Sequence, residues 1–170
     1  AIAIKLDSKG PIFYNALRAG KKYRVFNFYK FRSMVMDAEL QVKSMAHLNQ
    51  YESGSNGVSF LKIKNDPRVT KVGKFLRKTS IDEMPQFFNV LLGDMSVVGP
   101  RPHMLSHTEM YAKKIDKFMV RHFVKPGITG LAQVSGFRGE VESDKDIIGR
   151  VQHDIFYIRH LYSSYLVHNR

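Results

Sequence analysis

The chain contains no cysteine and no tryptophan among its 170 residues. The absence of cysteine excludes a disulfide framework and is consistent with a reducing, cytosol-facing location. No apolar stretch approaches the roughly 20 residues that a membrane-spanning helix needs. Hydrophobic residues make up 44% of the chain and charged residues 25%, which is typical of a globular domain and not of a disordered tail.

Acidic residues are scarce relative to basic ones. The chain has 15 Asp and Glu against 27 Lys and Arg, a formal net charge of +12. Such an excess attracts nucleic acid, anionic lipid or phosphorylated small molecules without distinguishing among them. Because the basic residues are scattered and no stretch matches a nucleic-acid-binding module, we expect phosphate substrates and an anionic membrane surface as partners, and no nucleic acid.

The most informative stretch is residues 74–102, in which two adjacent carboxylates, Asp82 and Glu83, precede Pro85. Apolar residues at helical spacing follow them, and Gly93 is a good helix-stop residue. With Asp82 as the N-cap, Pro85 lies in the first turn, where its missing N–H is not needed. With Ser80 as the N-cap, Glu83 completes a capping box. We favour the first register; the apolar residues are Met84, Phe87, Phe88 and Leu91.

Both registers place the two acids in the first turn of a helix. Free backbone N–H groups and the helix dipole favour an ionised carboxylate there, and they also favour a phosphate. A plain capping role is therefore the alternative to a catalytic one. After the helix, Arg101 stands between Pro100 and Pro102, whose fixed φ angles hold it rigidly.

Four blocks of sequence carry a resemblance to a known family. They are residues 79–86 (TSIDEMPQ), 93–102 (GDMSVVGPRP), 30–34 (KFRSM) and 125–133 (KPGITGLAQ). The chain resembles the bacterial sugar transferase family, the monotopic phosphoglycosyl transferases, and is most similar to its undecaprenyl-phosphate hexose-1-phosphate transferases. The similarity follows the family's order from about Asp7 to Tyr157. One departure is Tyr23, where the family usually has a glycine.

Pattern and resemblance together predict an α+β fold, a mostly helical single domain with a small antiparallel β-hairpin near the N-terminus. The second arm of the hairpin is the alternating run Tyr23–Phe31. Further helices are expected from Ser33 to about Gln50, from His103 to Val120 and from Val151 to Leu161, with polar loops at Tyr51–Ser59 and Phe137–Asp146.

The resemblance also implies monotopic membrane association. Family members carry an apolar re-entrant membrane helix immediately upstream of this region, and many carry a further N-terminal membrane domain. Residues 1–170 are therefore expected to be a phosphoglycosyl transferase catalytic domain that lacks this upstream helix. The implied location is the cytoplasmic face of the bacterial inner membrane. A homo-oligomer is left open.

The activity that the resemblance implies is transfer of a sugar-1-phosphate from a UDP-sugar to polyprenyl phosphate, with release of UMP. Asp82 would be the nucleophile, forming a covalent aspartyl intermediate, and Glu83 would bind Mg²⁺. These residue types suit the chemistry, because Mg²⁺ is held by one or two carboxylates plus substrate oxygens, and a carboxylate can attack phosphorus. The product would begin assembly of a cell-surface polysaccharide or glycoconjugate.

Basic residues and a glycine-containing loop are the candidate binding groups. The resemblance implies that Lys30 and Arg32 face the substrate phosphates. Arg77 and Arg101 offer planar forks that suit phosphate oxygens. The Pro-Gly turn at residues 125–130 ends in a glycine that lets the backbone approach a ligand. The implied nucleotide-sugar loop comprises Gly127, Thr129, Gly130, Gln133 and Asp154.

Two other classes of protein stay open. Asp144-Lys145-Asp146 supplies the Asp-x-Asp pattern of an ordinary metal-dependent glycosyltransferase, although no apolar strand precedes it. A non-catalytic basic module that binds anionic lipid is the second. Metal binding by histidine is not expected, because no cysteine accompanies the histidines and no His-x3-His pair is backed by a third acid at a fixed spacing. Surface or capping roles are expected for His103, His107 and His122.

Overall fold

The computed structural model describes residues 1–38, 40–42, 63, 65–139, 141 and 143–168, with the side chains of 42 and 162–168 left out. About half of these described residues are helical. The described residues form two compact units, Ala1–Tyr14 with Lys30–Met84 and Asn15–Tyr29 with Pro85–Arg170. Whether residues 1–170 constitute one catalytic domain stays a prediction.

The secondary structure elements are short except for the last helix. The helices are α1 (Ile2–Asp7), α2 (Lys71–Thr79), α3 (Gln86–Leu91), α4 (Leu105–Lys114), α5 (Leu131–Val134) and α6 (Asp144–His168). The strands are β1 (Phe13–Ala19) with β2 (Val25–Phe31), and β3 (Ser96–Val98) with β4 (Gly127–Thr129). Single 3-10 turns occupy Lys21–Tyr23, Met36–Ala38, Leu40–Val42 and Ile81–Glu83, and a longer 3-10 helix occupies Phe118–Phe123. In the described part of the chain, no helix has the length and apolar character needed to cross a bilayer.

The predicted hairpin is confirmed as the antiparallel pair β1 and β2. Its turn is closed by the Gly20 N–H, which donates to the Arg24 carbonyl at 2.9 Å. Tyr23 has a φ of 62°, in the left-handed region that favours glycine, so the family's usual glycine matches the backbone at this position. Alternate residues of β2 point inward, and Phe26 and Phe28 pack with Met95 in a hydrophobic cluster.

Asn89 of α3 joins that helix to the edge of β2 within the second unit. Its side chain is fully buried. The Asn89 Nδ2 donates to the Asn27 carbonyl at 2.6 Å, and its Oδ1 accepts from the Tyr29 N–H at 3.1 Å. The carboxamide therefore satisfies one donor and one acceptor of the strand, as a neighbouring peptide group would.

The second sheet is a parallel pair that the sequence did not predict. Ser96 pairs with Gly127, and Val98 pairs with Thr129. Two main-chain segments touch directly here, because a Cβ at Gly127 would clash with the Gly99 nitrogen and one at Gly130 would clash with the Gly99 oxygen. The expectation for Gly130 was close approach to a ligand; the structure shows that its missing side chain is required by the Gly99 main chain.

The region of Asp82 differs from both predicted registers. Asp82 and Glu83 lie in the 3-10 turn Ile81–Glu83, and α3 begins later, at Gln86, with Pro85 as its N-cap. The helix α2 has already ended at Ser80, which has a φ of 58°, so the chain changes direction just before the acids. The missing N–H of Pro85 then separates this turn from α3.

The apolar face of α3 is exposed. Phe87, Phe88 and Leu91 have relative exposures of 44%, 55% and 82%, whereas Gln86 and Asn89 are fully buried. The helical spacing of the apolar residues is correct, but the side that packs against the protein carries the buried Gln86 and Asn89 together with the partly buried Val90.

The helix predicted from Ser33 is wrong over its described part. Met34 forms an isolated bridge with Val69, and 3-10 turns follow at residues 36–38 and 40–42. The Ser33 hydroxyl accepts a hydrogen bond from Arg77 Nε at 2.9 Å and its carbonyl accepts from the Thr70 N–H, so Ser33 caps no helix. The rest of that helix, residues 43–50, and the loop at 51–59 lie outside the described residues.

Two other helix boundaries are corrected. The helix predicted at 103–120 begins at Leu105 and ends at Lys114, because Ile115 is extended; Lys117 then adopts a φ of 59° before the 3-10 helix begins. The helix predicted from Val151 belongs to α6 and begins at Asp144, so the loop predicted up to Asp146 is shorter. Buried side chains recur along α6 at helical spacing: Ile147, Val151, Asp154 and Ile158.

Candidate active site

Two predicted carboxylates and one predicted lysine meet in the first unit; we call Lys30, Asp82 and Glu83 the acid cluster. Lys30 Nζ donates to Glu83 Oε1 at 2.8 Å and lies 3.8 Å from Asp82 Oδ2. Lys30 stands near the end of β2, and the acids lie in the 3-10 turn that follows α2. One ammonium therefore lies between two carboxylates, although the residues are more than 50 positions apart in sequence.

Asp82 is the more buried of the two acids, with a relative exposure of 7%. Burial raises the pKa of the Asp82 carboxyl, the Lys30 ammonium opposes that rise, and the Glu83 carboxylate adds to it. Arg77 also lowers the pKa of Asp82. Desolvation makes the ionised carboxylate less stable, and Lys30 and Arg77 compensate in part. A poorly solvated carboxylate with cationic support is well suited to act as a nucleophile.

The donor set is compatible with a magnesium site completed by substrate. In the part of the chain that the structure covers, no group of three or more His, Cys, Asp or Glu residues could hold a metal ion by itself. Mg²⁺ commonly takes only one or two protein carboxylates and fills its other positions with water and substrate phosphate oxygens. Asp82 and Glu83 provide two, and Glu83 Oε1 already points toward a positive charge.

Arg32 occupies a structural position in the first unit. Its guanidinium is buried at 4% exposure. The Nε donates to the Pro11 carbonyl at 2.6 Å, and Nη1 donates to the Ser8 hydroxyl at 2.6 Å. The Nη2 donates to the Ser8 carbonyl at 2.8 Å. These contacts fix the segment after α1, and the role of Arg32 as a phosphate ligand stays a prediction.

A second charged group lies in the second unit, around a small cavity that we call the arginine cavity. Arg121 Nη2 donates to Asp154 Oδ2 at 2.7 Å and to the Arg101 carbonyl at 3.0 Å. Both partners of the ion pair are almost fully buried, with side-chain exposures of 4% and 3%. The residues that line the cavity are Arg101, His103, Arg121, Gly130, Ala132, Gln133, Phe137, Arg150 and Asp154.

Burial dominates the electrostatics of this cavity. It raises the pKa of Asp154, while the adjacent Arg121 guanidinium lowers it. It also lowers the pKa of His103 well below its usual value, and the charges of Arg121 and Arg150 lower it further. His103 is therefore a neutral imidazole at physiological pH, and its ring lies edge-on to those of Tyr111 and Phe118.

The predicted binding residues of the second unit are partly brought together. Arg101, Gly130, Gln133 and Asp154 line the arginine cavity, whereas Gly127 and Thr129 form β4. Arg121, Arg150 and His103 were not predicted as binding residues. Only one signal for them was present in the sequence: Arg150 stands four positions before Asp154, on the same face of a helix.

The Asp-x-Asp triplet of the alternative glycosyltransferase hypothesis has a structural role. Asp144 and Asp146 lie in the first turn of α6. Asp146 Oδ2 accepts from the Ser143 N–H at 2.8 Å and from the Ser143 hydroxyl at 3.0 Å. These contacts close the start of the helix in the manner of a capping box.

Comparison with known proteins identifies the class. The family profile described as bacterial sugar transferase matches residues 1–166, and the chain belongs to this family. The chain is 49% identical, over 94% of its length, to the UDP-glucose:undecaprenyl-phosphate glucose-1-phosphate transferase of Klebsiella pneumoniae, of which it covers 31%. It is 42% identical, also over 94% of its length, to the UDP-N-acetylgalactosamine-undecaprenyl-phosphate N-acetylgalactosaminephosphotransferase of Aeromonas hydrophila, of which it covers 33%.

A third relative is matched over more of its own length. The exopolysaccharide production protein PSS of Rhizobium leguminosarum bv. phaseoli is 40% identical over 93% of this chain, which covers 73% of that relative. The chain thus spans about a third of the two named transferases and nearly three quarters of the exopolysaccharide protein.

Proposed function

We propose that the protein is a polyprenyl-phosphate hexose-1-phosphate transferase that moves a sugar-1-phosphate from a UDP-sugar to undecaprenyl phosphate. The observation that carries the proposal is the acid cluster, in which a buried Asp82 lies next to Glu83 and both are approached by the Lys30 ammonium. Relatives whose names state this reaction are similar to the chain over 94% of its length. The product would begin assembly of a cell-surface polysaccharide or glycoconjugate.

In the first half-reaction, an Asp82 carboxylate oxygen attacks the phosphorus that bears the sugar. The bond from that phosphorus to the UMP oxygen breaks, UMP leaves, and an acyl phosphate joins the sugar to Asp82. In the second half-reaction, an oxygen of polyprenyl phosphate attacks the same phosphorus and Asp82 is released as a carboxylate. Mg²⁺ held by Glu83 would supply neutralisation of the negative charge on the diphosphate.

The basic residues have two roles in this proposal, to keep Asp82 ionised and to contact the substrate phosphates. Lys30 and Arg77 hold Asp82 ionised, since both lower the pKa that burial raises. Lys30 can also contact a phosphate oxygen when substrate enters. Arg101 clamps the charge that develops during transfer, because its guanidinium can donate two parallel hydrogen bonds.

We place the protein at the cytoplasmic face of the bacterial inner membrane. The exposed apolar side of α3 supports this location: Phe87, Phe88, Leu91 and Leu92 are all between 44% and 82% exposed. Apolar side chains on one face of a helix, combined with a net charge of +12, suit the interface of an anionic bilayer. A location at that surface would bring the catalytic chain to its lipid acceptor.

The covalent intermediate gives the direct test. We would incubate the chain with UDP-glucose and Mg²⁺ without a lipid acceptor, measure released nucleotide, and weigh the intact protein. We expect UMP and a hexose-phosphate adduct that fragmentation places at Asp82. Asp82→Asn should abolish both, since an amide is not a nucleophile here, whereas Glu83→Gln should slow adduct formation without moving it.

Asp116→Asn is the matched control, because Asp116 is an acid whose side chain is 88% exposed. It should form the adduct at the native rate. Release of UDP in place of UMP would instead support an ordinary glycosyltransferase. An adduct on another residue, or native turnover by Asp82→Asn, would contradict the assignment of the nucleophile.

A further inference from the structure

Each of the two units contains a buried arginine–aspartate pair, and in the first unit every guanidinium nitrogen of that pair has an acceptor. Arg68 Nε donates to Asp66 Oδ1 at 2.9 Å, and Nη2 donates to Asp66 Oδ2 at 2.6 Å. The remaining nitrogen, Nη1, donates to the Ala38 carbonyl at 3.0 Å. Every nitrogen of this guanidinium therefore has an acceptor inside the protein, as expected for a structural ion pair.

In the second pair, one guanidinium nitrogen has no acceptor among the described residues. Arg121 is as buried as Arg68, with exposures of 5% and 6%. Its Nη2 is engaged by Asp154 and by the Arg101 carbonyl. Among the residues that the structure describes, none accepts a hydrogen bond from Arg121 Nη1. A buried charged donor without an acceptor is costly, which indicates that an acceptor from outside the chain completes this site.

The charge of the cavity points to the nature of that acceptor. Its lining residues include three arginines, Arg101, Arg121 and Arg150, and one carboxylate, Asp154. Asp146, at the start of α6, also favours the charged form of Arg150. His103 adds no charge, because burial and the arginines keep it neutral. A cavity lined by three guanidinium groups, one of which has a buried nitrogen without an acceptor among the described residues, matches an oxyanion of high charge density.

We propose that the arginine cavity is a phosphate-binding site in which Arg121 Nη1 donates to a phosphate oxygen of a substrate. Asp154 is then a positioning residue, which holds Arg121 by its other terminal nitrogen and does not touch the ligand. Arg121 in turn donates to the carbonyl of Arg101, so the same guanidinium orients the main chain of the predicted clamp.

The phosphate has two sources under the proposed function, the diphosphate of the nucleotide sugar and the head group of the lipid acceptor. Gln133 favours the first. Its Oε1 has no hydrogen-bond donor among the residues described, and a nucleotide sugar supplies N–H and O–H donors in addition to phosphate oxygens. We therefore expect the larger effect with a nucleotide sugar.

The test measures binding and not turnover. Using isothermal titration calorimetry with the purified chain and no divalent metal, we would titrate inorganic pyrophosphate, UDP-glucose, and vesicles with and without undecaprenyl phosphate. The variant is Arg121→Lys, which keeps the charge but loses the fork. The control is Arg68→Lys, which makes the same change in the other buried pair.

We expect Arg121→Lys to weaken pyrophosphate binding by about tenfold or more, because a charge-assisted hydrogen bond is lost, while Arg68→Lys binds as the native chain does. The other two probes identify the source of the phosphate. If Arg121→Lys weakens binding of UDP-glucose but not of the vesicles with undecaprenyl phosphate, the site binds the nucleotide diphosphate. If it weakens binding of those vesicles but not of UDP-glucose, the site binds the lipid phosphate. Unchanged affinity for all three probes overturns the proposal.

Circular dichroism shows whether each variant is folded, and a second variant tests the site if Arg121→Lys is not. Arg150→Lys leaves the Arg121–Asp154 pair intact; if Arg121→Lys does not fold, weakened pyrophosphate binding by Arg150→Lys supports the site and unchanged binding refutes it. Asp82→Asn separates this inference from the proposed function. That variant should bind UDP-glucose normally and release no UMP, so a failure of transfer chemistry leaves the binding result standing.

Discussion

The acid cluster and the arginine cavity differ in the charges that they bring together. In the first, the Lys30 ammonium lies between two carboxylates; the second is lined by three arginines and one carboxylate. The first is partly open, since the Lys30 side chain is 23% exposed, whereas the Arg121–Asp154 pair is sealed at 4% and 3%. The structural ion pair Arg68–Asp66 differs from both, because each nitrogen of its guanidinium has an acceptor within the protein. Under the two proposals above, the acid cluster would receive an electropositive centre and the arginine cavity an oxyanion.

Because the two sites differ in exposure, substitutions in them should affect different properties: protein stability in the buried pair and the reaction in the partly exposed cluster. Removing one partner of a buried ion pair leaves an uncompensated charge in a poorly solvated place, which is strongly destabilising. Changing a partly exposed cluster should alter the reaction more than the fold. The following variants test that contrast.

The largest effect on stability is expected for Asp154→Asn. Arg121 would lose its buried carboxylate partner, and breaking such a pair costs about 3–5 kcal/mol of unfolding free energy. Urea unfolding followed by circular dichroism measures the loss. Asp116→Asn, in the exposed pair with Lys117, should change the free energy by less than about 0.5 kcal/mol. Equal effects of the two variants would remove the distinction between sealed and open sites.

The next largest effect is expected for Arg101→Lys, and it concerns catalysis and not the free energy of unfolding. The charge is kept and the bidentate fork is lost, so we expect transition-state stabilisation to fall by roughly 1.5–3 kcal/mol, or turnover by one to a few powers of ten. Steady-state UMP release measures this, and urea unfolding should be little changed. Arg24→Lys, at an exposed position, is the control. Native kinetics in the Arg101 variant would exclude it as the clamp.

Lys30→Met should shift the pH dependence of the acid cluster. Burial raises the pKa of Asp82 and Lys30 lowers it, so removal of the ammonium should raise that pKa further. Activity is lost as the pH falls through the Asp82 pKa, and the acidic limb of the rate profile should therefore move to higher pH. Adduct formation measured across pH tests this, with the exposed Lys113→Met as control. An unmoved acidic limb would argue against control by Lys30.

The smallest effect is expected for Asp82→Asn, and it concerns the free energy of unfolding as a function of pH. Because burial raises the pKa of Asp82 in the folded state, the folded protein binds this proton more tightly than the unfolded chain. The ionised carboxyl therefore reduces stability as the pH rises through the folded pKa. The variant should be at least as stable as the native chain at pH 7, with the advantage disappearing in acid. A clear loss of stability at pH 7 would mean that Asp82 also serves the fold.

The parts of the site that could be predicted were those carried by local patterns. Adjacent acids before a proline indicated Asp82 and Glu83, and strict alternation indicated β2. The arginine cavity could not be found in this way, because its contacts join distant residues: Arg121 and Asp154 are 33 positions apart. Strands of three residues, β3 and β4, likewise have too little pattern to be recognised.

Helical periodicity does not show which face of a helix is buried. The apolar residues of α3 repeat at helical spacing, yet they face outward while Gln86 and Asn89 face the protein. Changes of chain direction at Ser80 and Lys117 could not be predicted, because ordinary residues adopt positive φ there and no glycine marks the positions. Spacing determines which residues share a face, but only the packed structure shows which face is covered.

The carboxamide of Asn89 also limits how the hairpin can associate with other chains. The outer edge of a two-stranded sheet exposes unpaired peptide groups, which can recruit a strand from another molecule. Asn89 already holds the Asn27 carbonyl and the Tyr29 N–H, so a foreign strand would have to displace a buried side chain to pair there. One amide side chain thus protects this edge against intermolecular β-sheet growth, and aggregation through β2 is blocked at its middle residues.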